Sequence, residues 1–153
     1  MARETHRYED LTEGIIGCGI TVHAATGAGL LESIYTACLR VELRAQGFRV
    51  DADRSVPVVY RGTRVAHYRI DLVVEDLIVI EIKAVKALEP VHQAQLITYL
   101  KLTGCPGGLL MNFNVPLLVN GLRKVVHPDL YHQDHGKPAT TTDVVLAPPV
   151  RLT

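Results

Sequence analysis

The chain has 153 residues, 48% of them hydrophobic, and 16 basic residues balance 16 acidic ones. This length and composition favour a single globular domain with a substantial core and exclude a disordered chain. No apolar run is long enough to span a membrane, and the polar N-terminus lacks the apolar segment of a signal peptide, so we expect a cytoplasmic protein.

Apolar residues at helical spacing predict a first helix over residues 9–25, and the sequence Thr26-Gly-Ala-Gly ends it. A second helix is predicted over residues 30–46, before Gly47, a residue typical of helix C-termini. Three strands are then predicted over residues 48–60, 65–74 and 77–84, with an interruption of the first near Pro57. Turns at residues 61–64 and 75–76 join these strands into an antiparallel meander.

A third helix is predicted over residues 91–103, with Pro90 near its first turn. Two short strands follow over residues 109–113 and 122–127. We expect the first of them to run parallel to the third strand, because the helix can serve as a crossover. The order ααβββαββ predicts an α/β domain with a mixed sheet over residues 1–127. Residues 128–153, with their Gly, Pro and Thr, are predicted to form a mobile or loosely docked tail.

The three cysteines, Cys18, Cys38 and Cys105, lie far apart and form no Cys-x-x-Cys pair. This spacing argues against a disulfide framework, a structural zinc site or an iron–sulfur cluster. We expect small buried hydrophobic residues in a reducing compartment instead.

Charged residues interrupt two apolar strands at Asp71, Glu81 and Lys83. A buried carboxylate costs several kcal/mol unless it is paired or binds a metal. Strand alternation places Glu81 and Lys83 on one face of the third strand, with its isoleucines on the other. A hairpin centred on Asp76 places Asp71 opposite Glu81, with Cβ atoms about 5 Å apart.

Two carboxylates this close repel each other unless a cation lies between them. Mg²⁺ binds one or two carboxylates together with water and phosphate oxygens, polarises a scissile phosphate and activates a bound water. A neighbouring lysine can stabilise the charge of the transition state. The pattern therefore predicts a phosphodiester-cutting metal centre. A buried ion triad, with Lys83 as the counter-charge of the two acids, is the structural alternative.

Asp71 followed by Glu81-Ile82-Lys83 resembles the motif of the PD-(D/E)XK nuclease superfamily. The segment from Gly29 to Tyr35, Gly-Leu-Leu-Glu-Ser-Ile-Tyr, is similar to the signature of the bacterial GxxExxY family, and the similarity extends over residues 11–126. The resemblance implies a restriction-endonuclease-like mixed β-sheet flanked by helices. It also implies a nuclease that depends on Mg²⁺ or Mn²⁺ and acts on DNA or RNA.

The same resemblance implies roles for individual residues. Asp71, Glu81 and the main-chain carbonyl of Ile82 would hold the metal, and Lys83 would orient the attacking water. Glu32 would assist a second metal or that water. Read from its position alone, Glu32 lies in the first turn of a helix, where an acid is favoured by the helix dipole.

Gln95 and Tyr99 resemble the Gln-x-x-x-Tyr motif of RecB-type nucleases, which implies that they contact the nucleic acid. Positions four residues apart share one helix face, so the two side chains can act together. Packing is an equal alternative for Tyr99, because its helix neighbours are apolar.

The segment from Arg40 to Arg69 has seven arginines and three acids, a net charge of +4. This charge fits either a phosphate-binding stripe or a solvated surface. The overall alternative to a nuclease is a non-catalytic module that binds nucleic acid or protein and retains the fold. A homodimer is expected by analogy, since a small domain can pair to cover a duplex.

Overall fold

A computed structural model describes residues 2–129, with side chains from Tyr8 onward. The predicted tail therefore lies outside the described residues, except for its first two. The elements are α1 (Ala2–Thr26), α2 (Glu32–Ala45), β1 (Val50–Tyr60), β2 (Thr63–Val74), β3 (Ile78–Lys83), α3 (Pro90–Thr103), β4 (Gly107–Asn112) and β5 (Leu122–Val126), with a 3-10 turn at Leu118–Gly121. The predicted order ααβββαββ is confirmed.

The five strands form one mixed sheet in the order β1-β2-β3-β4-β5. Neighbouring strands are antiparallel except β3 and β4, which are parallel. Helix α3 connects these two strands, as the sequence predicts for a crossover. The parallel pair brings the carboxyl end of β3, with Lys83, beside the end of β4.

Helices cover both faces of the sheet, and the strand residues divide between two cores. One core contains α1, α2 and the isoleucines of β3, and the other contains α3 with Val79. This division confirms the predicted alternation along β3. Because both faces are apolar, β3 is buried along almost its whole length, and the charges within it lie inside the protein.

Strand β2 changes faces in its middle. Ile70 packs in the α3 core, whereas Leu72 packs in the core of α1 and α2. Regular alternation would place both on one face. On the neighbouring strand the β1–β2 pairing skips Asp53, whose φ of 54° is left-handed. The register places Asp53 opposite Asp71, so the distortion positions Asp71 where the two faces of the sheet meet.

Pro57 does not interrupt β1, contrary to the sequence-based expectation. It pairs with His67 inside the strand, and the register shifts between Val58 and Val59 instead. β1 is an edge strand, where the missing N–H of a proline can point away from the sheet. The long β1–β2 hairpin is therefore continuous to its turn.

The three cysteines are free, with Cys18 and Cys105 buried and Cys38 half-buried. The predicted absence of a disulfide framework thus agrees with the described residues. Among these residues, none of the helices combines the length and the apolar character needed to cross a bilayer.

Candidate active site

The Asp71 carboxylate is fixed where β2 separates from β3. Backbone pairing between these strands ends at Leu72 and Ile80. At the next position, Asp71 Oδ2 accepts a hydrogen bond from the Ile82 N–H at 3.0 Å. A side-chain hydrogen bond thus takes the place of the next main-chain bond between the two strands. This bond holds the Asp71 carboxylate at a defined place beside β3.

Glu81 is buried next to Asp71, with 6% of its surface exposed. The two carboxyl groups are within hydrogen-bonding reach of each other. Among the described residues, no donor group reaches the buried Glu81 Oε2. Ionised carboxylates only accept hydrogen bonds, so the two acids repel each other when both are ionised, and the nearby Lys83 ammonium offsets part of that repulsion. The structure therefore brings together the two acids that the sequence predicted to be neighbours.

The surroundings of the pair favour a proton on Glu81. Burial, and next the negative charge of Asp71, raises the pKa of Glu81 to about 8. Burial also raises the pKa of Asp71, but the Ile82 N–H opposes that change. The charge of Lys83 lowers the pKa of both acids without cancelling the effect of burial. Near neutral pH, this raised pKa favours the protonated form of Glu81.

Lys83 lies between the acids and helix α3. Its Nζ is 3.7 Å from Glu81 Oε1 and 3.4 Å from Gln95 Oε1. Gln95 Nε2 in turn donates to the Tyr99 hydroxyl at 2.9 Å. Gln95 and Tyr99 thus act from one helix face, as their spacing predicts, and they form a polar chain that ends at the lysine.

Tyr99 packs in the protein core, as the packing alternative predicted, and its contact with nucleic acid stays a prediction. Its ring is 3% exposed and packs edge-on against Tyr68, with centroids 5.3 Å apart. Burial, and next the charge of Glu81, raises the pKa of the Tyr99 hydroxyl to about 12, so this group stays protonated. The ring therefore belongs to the core, while the hydroxyl faces the site.

Glu32 lies near Asp71 and Glu81 but does not form a compact cluster of three acids with them. It is the exposed first residue of α2, and its charge contributes to the raised pKa values of Asp71 and Glu81. A cleft between α2 and the β1–β2 pair contains Glu32, Arg40, Asp53 and Asp71 in its walls. Over residues 8–129, however, no three His, Cys, Asp or Glu side chains are close enough to hold one metal ion.

A family model described as the PD-(D/E)XK nuclease superfamily matches residues 9–125. The chain belongs to the PD-(D/E)XK nuclease superfamily. The match covers most of the chain and includes both acids, the lysine and the helix that carries Gln95. The five-stranded mixed sheet flanked by helices is consistent with the restriction-endonuclease-like fold. No curated protein and no solved structure matched the chain.

Nucleases of the PD-(D/E)XK superfamily generally depend on divalent metals, and the donor atoms of this member fit such an ion. Asp71 and Glu81 offer two adjacent carboxylates, which is the number that Mg²⁺ takes from a protein when water and phosphate fill the other positions. The Glu81 Oε2 atom is buried and lacks a donor among the described residues. A hard cation would satisfy this atom and replace a proton on Glu81.

The Gly29–Tyr35 motif shapes the loop that presents Glu32 in this superfamily member. Gly29 has a φ of 104°, in a region that favours glycine. Tyr35 is fully buried, and its hydroxyl donates to the Gly27 carbonyl at 2.6 Å and accepts from the Leu30 N–H at 3.1 Å. The Tyr35 hydroxyl thus fixes the loop from its buried side, and Glu32 begins helix α2 directly after the loop.

Sequence reasoning missed Asn112, a 2% exposed residue that pairs in register with Lys83. Its Oδ1 accepts from the Val85 N–H at 3.1 Å, and its Nδ2 donates to the Val85 carbonyl at 3.0 Å. Asn112 therefore fixes the chain that leaves Lys83. The available signal was a polar residue at the end of the apolar sequence Gly-Gly-Leu-Leu-Met-Asn.

Proposed function

We propose that this protein is a nuclease that uses Mg²⁺ or Mn²⁺ to hydrolyse phosphodiester bonds in DNA or RNA. The observation that carries the proposal is the buried Glu81 Oε2, which lacks a donor among the described residues and lies beside a second carboxylate, Asp71. Two acids held inside an apolar sheet cost stability unless they serve a cation. In a member of a nuclease superfamily, such a cation would serve the hydrolysis of a phosphodiester bond.

Asp71, Glu81 and the main-chain carbonyl of Ile82 would hold the ion. When bound, it would polarise the scissile phosphate and lower the pKa of a water molecule. Lys83 provides a positive charge beside the acids, which suits it to orient the attacking water and stabilise charge on the phosphate. Glu32, at the wall of the cleft, would assist that water or a second ion.

Gln95 and Tyr99 would position the nucleic acid and keep Lys83 in place. The hydrogen bond from Lys83 to Gln95 at 3.4 Å supports the second part of this role. The loop formed by Gly29 and Tyr35 is consistent with the narrower assignment to the GxxExxY family, which we propose on the motif alone.

The test is a calorimetric titration of Mn²⁺ into the wild-type protein and an Asp71→Asn variant. We expect binding to the wild type and its loss in the variant. Asp10→Asn is the matched control, because Asp10 is an exposed acid on α1 that does not line the cleft. The control variant should bind Mn²⁺ as the wild type does.

Activity is then measured on labelled DNA and RNA with Mn²⁺ or with a chelator. Cleavage that requires the metal and disappears in Asp71→Asn would support the proposal. If the wild-type protein binds no Mn²⁺ in the presence or absence of nucleic acid, the proposal is wrong, and a non-catalytic binding module becomes the better description.

A further inference from the structure

The far end of the β1–β2 hairpin forms an arm, which we define as residues 59–69. All residues from Tyr60 to Arg69 are exposed, yet strand pairing continues to Tyr60 and Thr63 at the turn. Arg61 and Gly62 have φ values of 47° and 78°, which make this turn tight. The arm is therefore an ordered two-stranded ribbon that extends beyond the body of the domain.

The arm is basic, and residues 54–70 contain no acidic residue. Arg69, at its base, pairs with Asp53 at 3.3 Å. Arg61 and Arg64, at its tip, form no ion pair with any residue that the structure describes. The arginine-rich segment therefore does not form one continuous basic stripe. At this edge of the sheet, the positive charge that lacks an acidic partner is concentrated at the tip of the arm.

The base of the arm is connected to the candidate active site. Tyr68 packs against Tyr99, whose hydroxyl is bonded by Gln95, the partner of Lys83. Thr63, at the turn, is five residues from Tyr68, a distance of about 17 Å along a strand. That length corresponds to roughly five base pairs of a duplex, at about 3.4 Å each. A duplex that reaches the acids can therefore also reach the arm.

We propose that the arm lies in the major groove of double-stranded DNA, with Arg61 and Arg64 neutralising phosphates, and that double-stranded DNA is the substrate class. The proposal rests on the proposed function, which supplies the reason for a duplex at the site. The major groove of B-DNA admits a two-stranded β-ribbon, whereas the major groove of an RNA duplex is too narrow and deep. The bulge beside Val59 adds twist, which suits a helical groove.

A single strand fits the arm less well. Proteins that bind single strands stack successive bases on several aromatic rings. The arm offers Tyr60, which is 45% exposed, while the ring of Tyr68 is partly covered by Tyr99. Beside the two arginines, the arm therefore presents one uncovered tyrosine ring and the imidazole of His67, which favours contact with a phosphate backbone over the stacking of successive bases.

Fluorescence anisotropy with a labelled 30-base-pair DNA, in a chelator and over a range of salt concentrations, tests the arm. The variant is Arg61→Gln with Arg64→Gln. Arg123→Gln with Lys124→Gln is the matched control, because it removes two exposed charges from β5 at the opposite edge of the sheet. We expect the arm variant to bind on the order of tenfold or more weakly at 0.1 M salt, with a log–log salt slope less negative by about 1.8. The control should bind like the wild type.

Three results would overturn the inference: no binding of duplex DNA by the wild type, equal losses in both double variants, or stronger binding of single-stranded DNA or duplex RNA of the same length. Hydrolysis of bis(4-nitrophenyl) phosphate with Mn²⁺ separates the arm from the chemistry, because this diester is too small to reach the arm. The arm variant should retain that activity. If the wild type cleaves neither this diester nor the labelled nucleic acids with Mn²⁺, the proposed function fails, while the binding comparison still decides the role of the arm.

Discussion

Asp71 and Glu81 place their carboxyl groups together at the end of the β2–β3 pairing, and the Ile82 N–H donates to the Asp71 side of this pair. This asymmetry decides which of the two acids is protonated more readily. The main-chain donor stabilises ionised Asp71, whereas buried Glu81 has a pKa of about 8. A cation held by these two acids would compete with the proton of Glu81, which would link metal binding to pH.

The metal-free protein should lose stability as the pH rises from about 5 to 8. The pKa of Glu81 is raised from 4.5 to about 8 in the folded state, so the unfolded chain releases this proton first. Stability then falls with rising pH between the two values, by roughly a few kcal/mol at most. In Glu81→Gln, thermal unfolding should be less sensitive to pH in this window, and its Tm should exceed that of the wild type at pH 8.

Glu13→Gln is the control for this measurement, because Glu13 is exposed on α1. Its Tm should follow the pH dependence of the wild type. Equal slopes in the wild type and Glu81→Gln would show that Glu81 does not hold a proton in the folded protein.

Replacement of Lys83 distinguishes between two hypotheses for this site, a metal centre and a buried ion triad. If Lys83 serves catalysis, Lys83→Met should remain folded, with a stability change of about 1 kcal/mol or less, because protonated Glu81 does not require a counter-charge. Its phosphodiesterase rate should fall on the order of 10²- to 10³-fold. Urea unfolding and the hydrolysis of bis(4-nitrophenyl) phosphate measure the two effects.

Lys86→Met, at an exposed position three residues further along, should retain both properties. A loss of about 3–5 kcal/mol in Lys83→Met would favour the ion triad, in which the lysine neutralises two buried acids.

Much of the fold follows from sequence patterns because the sheet is covered on both faces. Apolar runs therefore mark the strands, and the helices show their own periodicity. The pairing of Asp71 with Glu81 was also predictable, since the turn is symmetric about Asp76 and the register follows from that centre. The helix that carries Gln95 was predictable from Pro90 near its start and Gly104 at its end, and the direction of β4 followed from the crossover that this helix provides.

Other features depend on backbone geometry or on distant contacts. The change of faces at Asp71 occurs opposite Asp53, whose φ is left-handed. An aspartate in a sequence does not by itself predict that conformation. The contact between Asn112 and Val85 joins positions 27 residues apart. Pro57 was misjudged because its tolerance depends on β1 lying at the edge of the sheet.

Tyr35→Phe should weaken the loop that presents Glu32. The change removes the hydroxyl that bonds the Gly27 carbonyl and the Leu30 N–H, and it leaves the ring in place. We expect a loss of about 1–3 kcal/mol in the free energy of unfolding, measured with urea. Tyr60→Phe, an exposed tyrosine on the arm, is the control and should unfold like the wild type. An unchanged stability in Tyr35→Phe would mean that the loop does not depend on this hydroxyl.

Asn112→Leu should separate metal binding from turnover. The substitution removes the side-chain bonds to both main-chain groups of Val85, at a cost of about 2–4 kcal/mol in the free energy of unfolding. Asp71 and Glu81 have no hydrogen bond to Asn112, so the folded variant should keep its affinity for Mn²⁺. The chain after Lys83 is then held less firmly, so kcat should fall because the lysine is less well oriented.

Asn114→Ala is the matched comparison for this variant, because the exposed Asn114 amide donates to the same Val85 carbonyl at 3.3 Å. Its loss should have a smaller effect on stability and on kcat, since Asn112 still holds the segment. If Asn112→Leu loses Mn²⁺ affinity and kcat in parallel, Asn112 supports the whole site rather than the position of Lys83. Equal effects in the two variants would instead assign the restraint to the Val85 carbonyl alone.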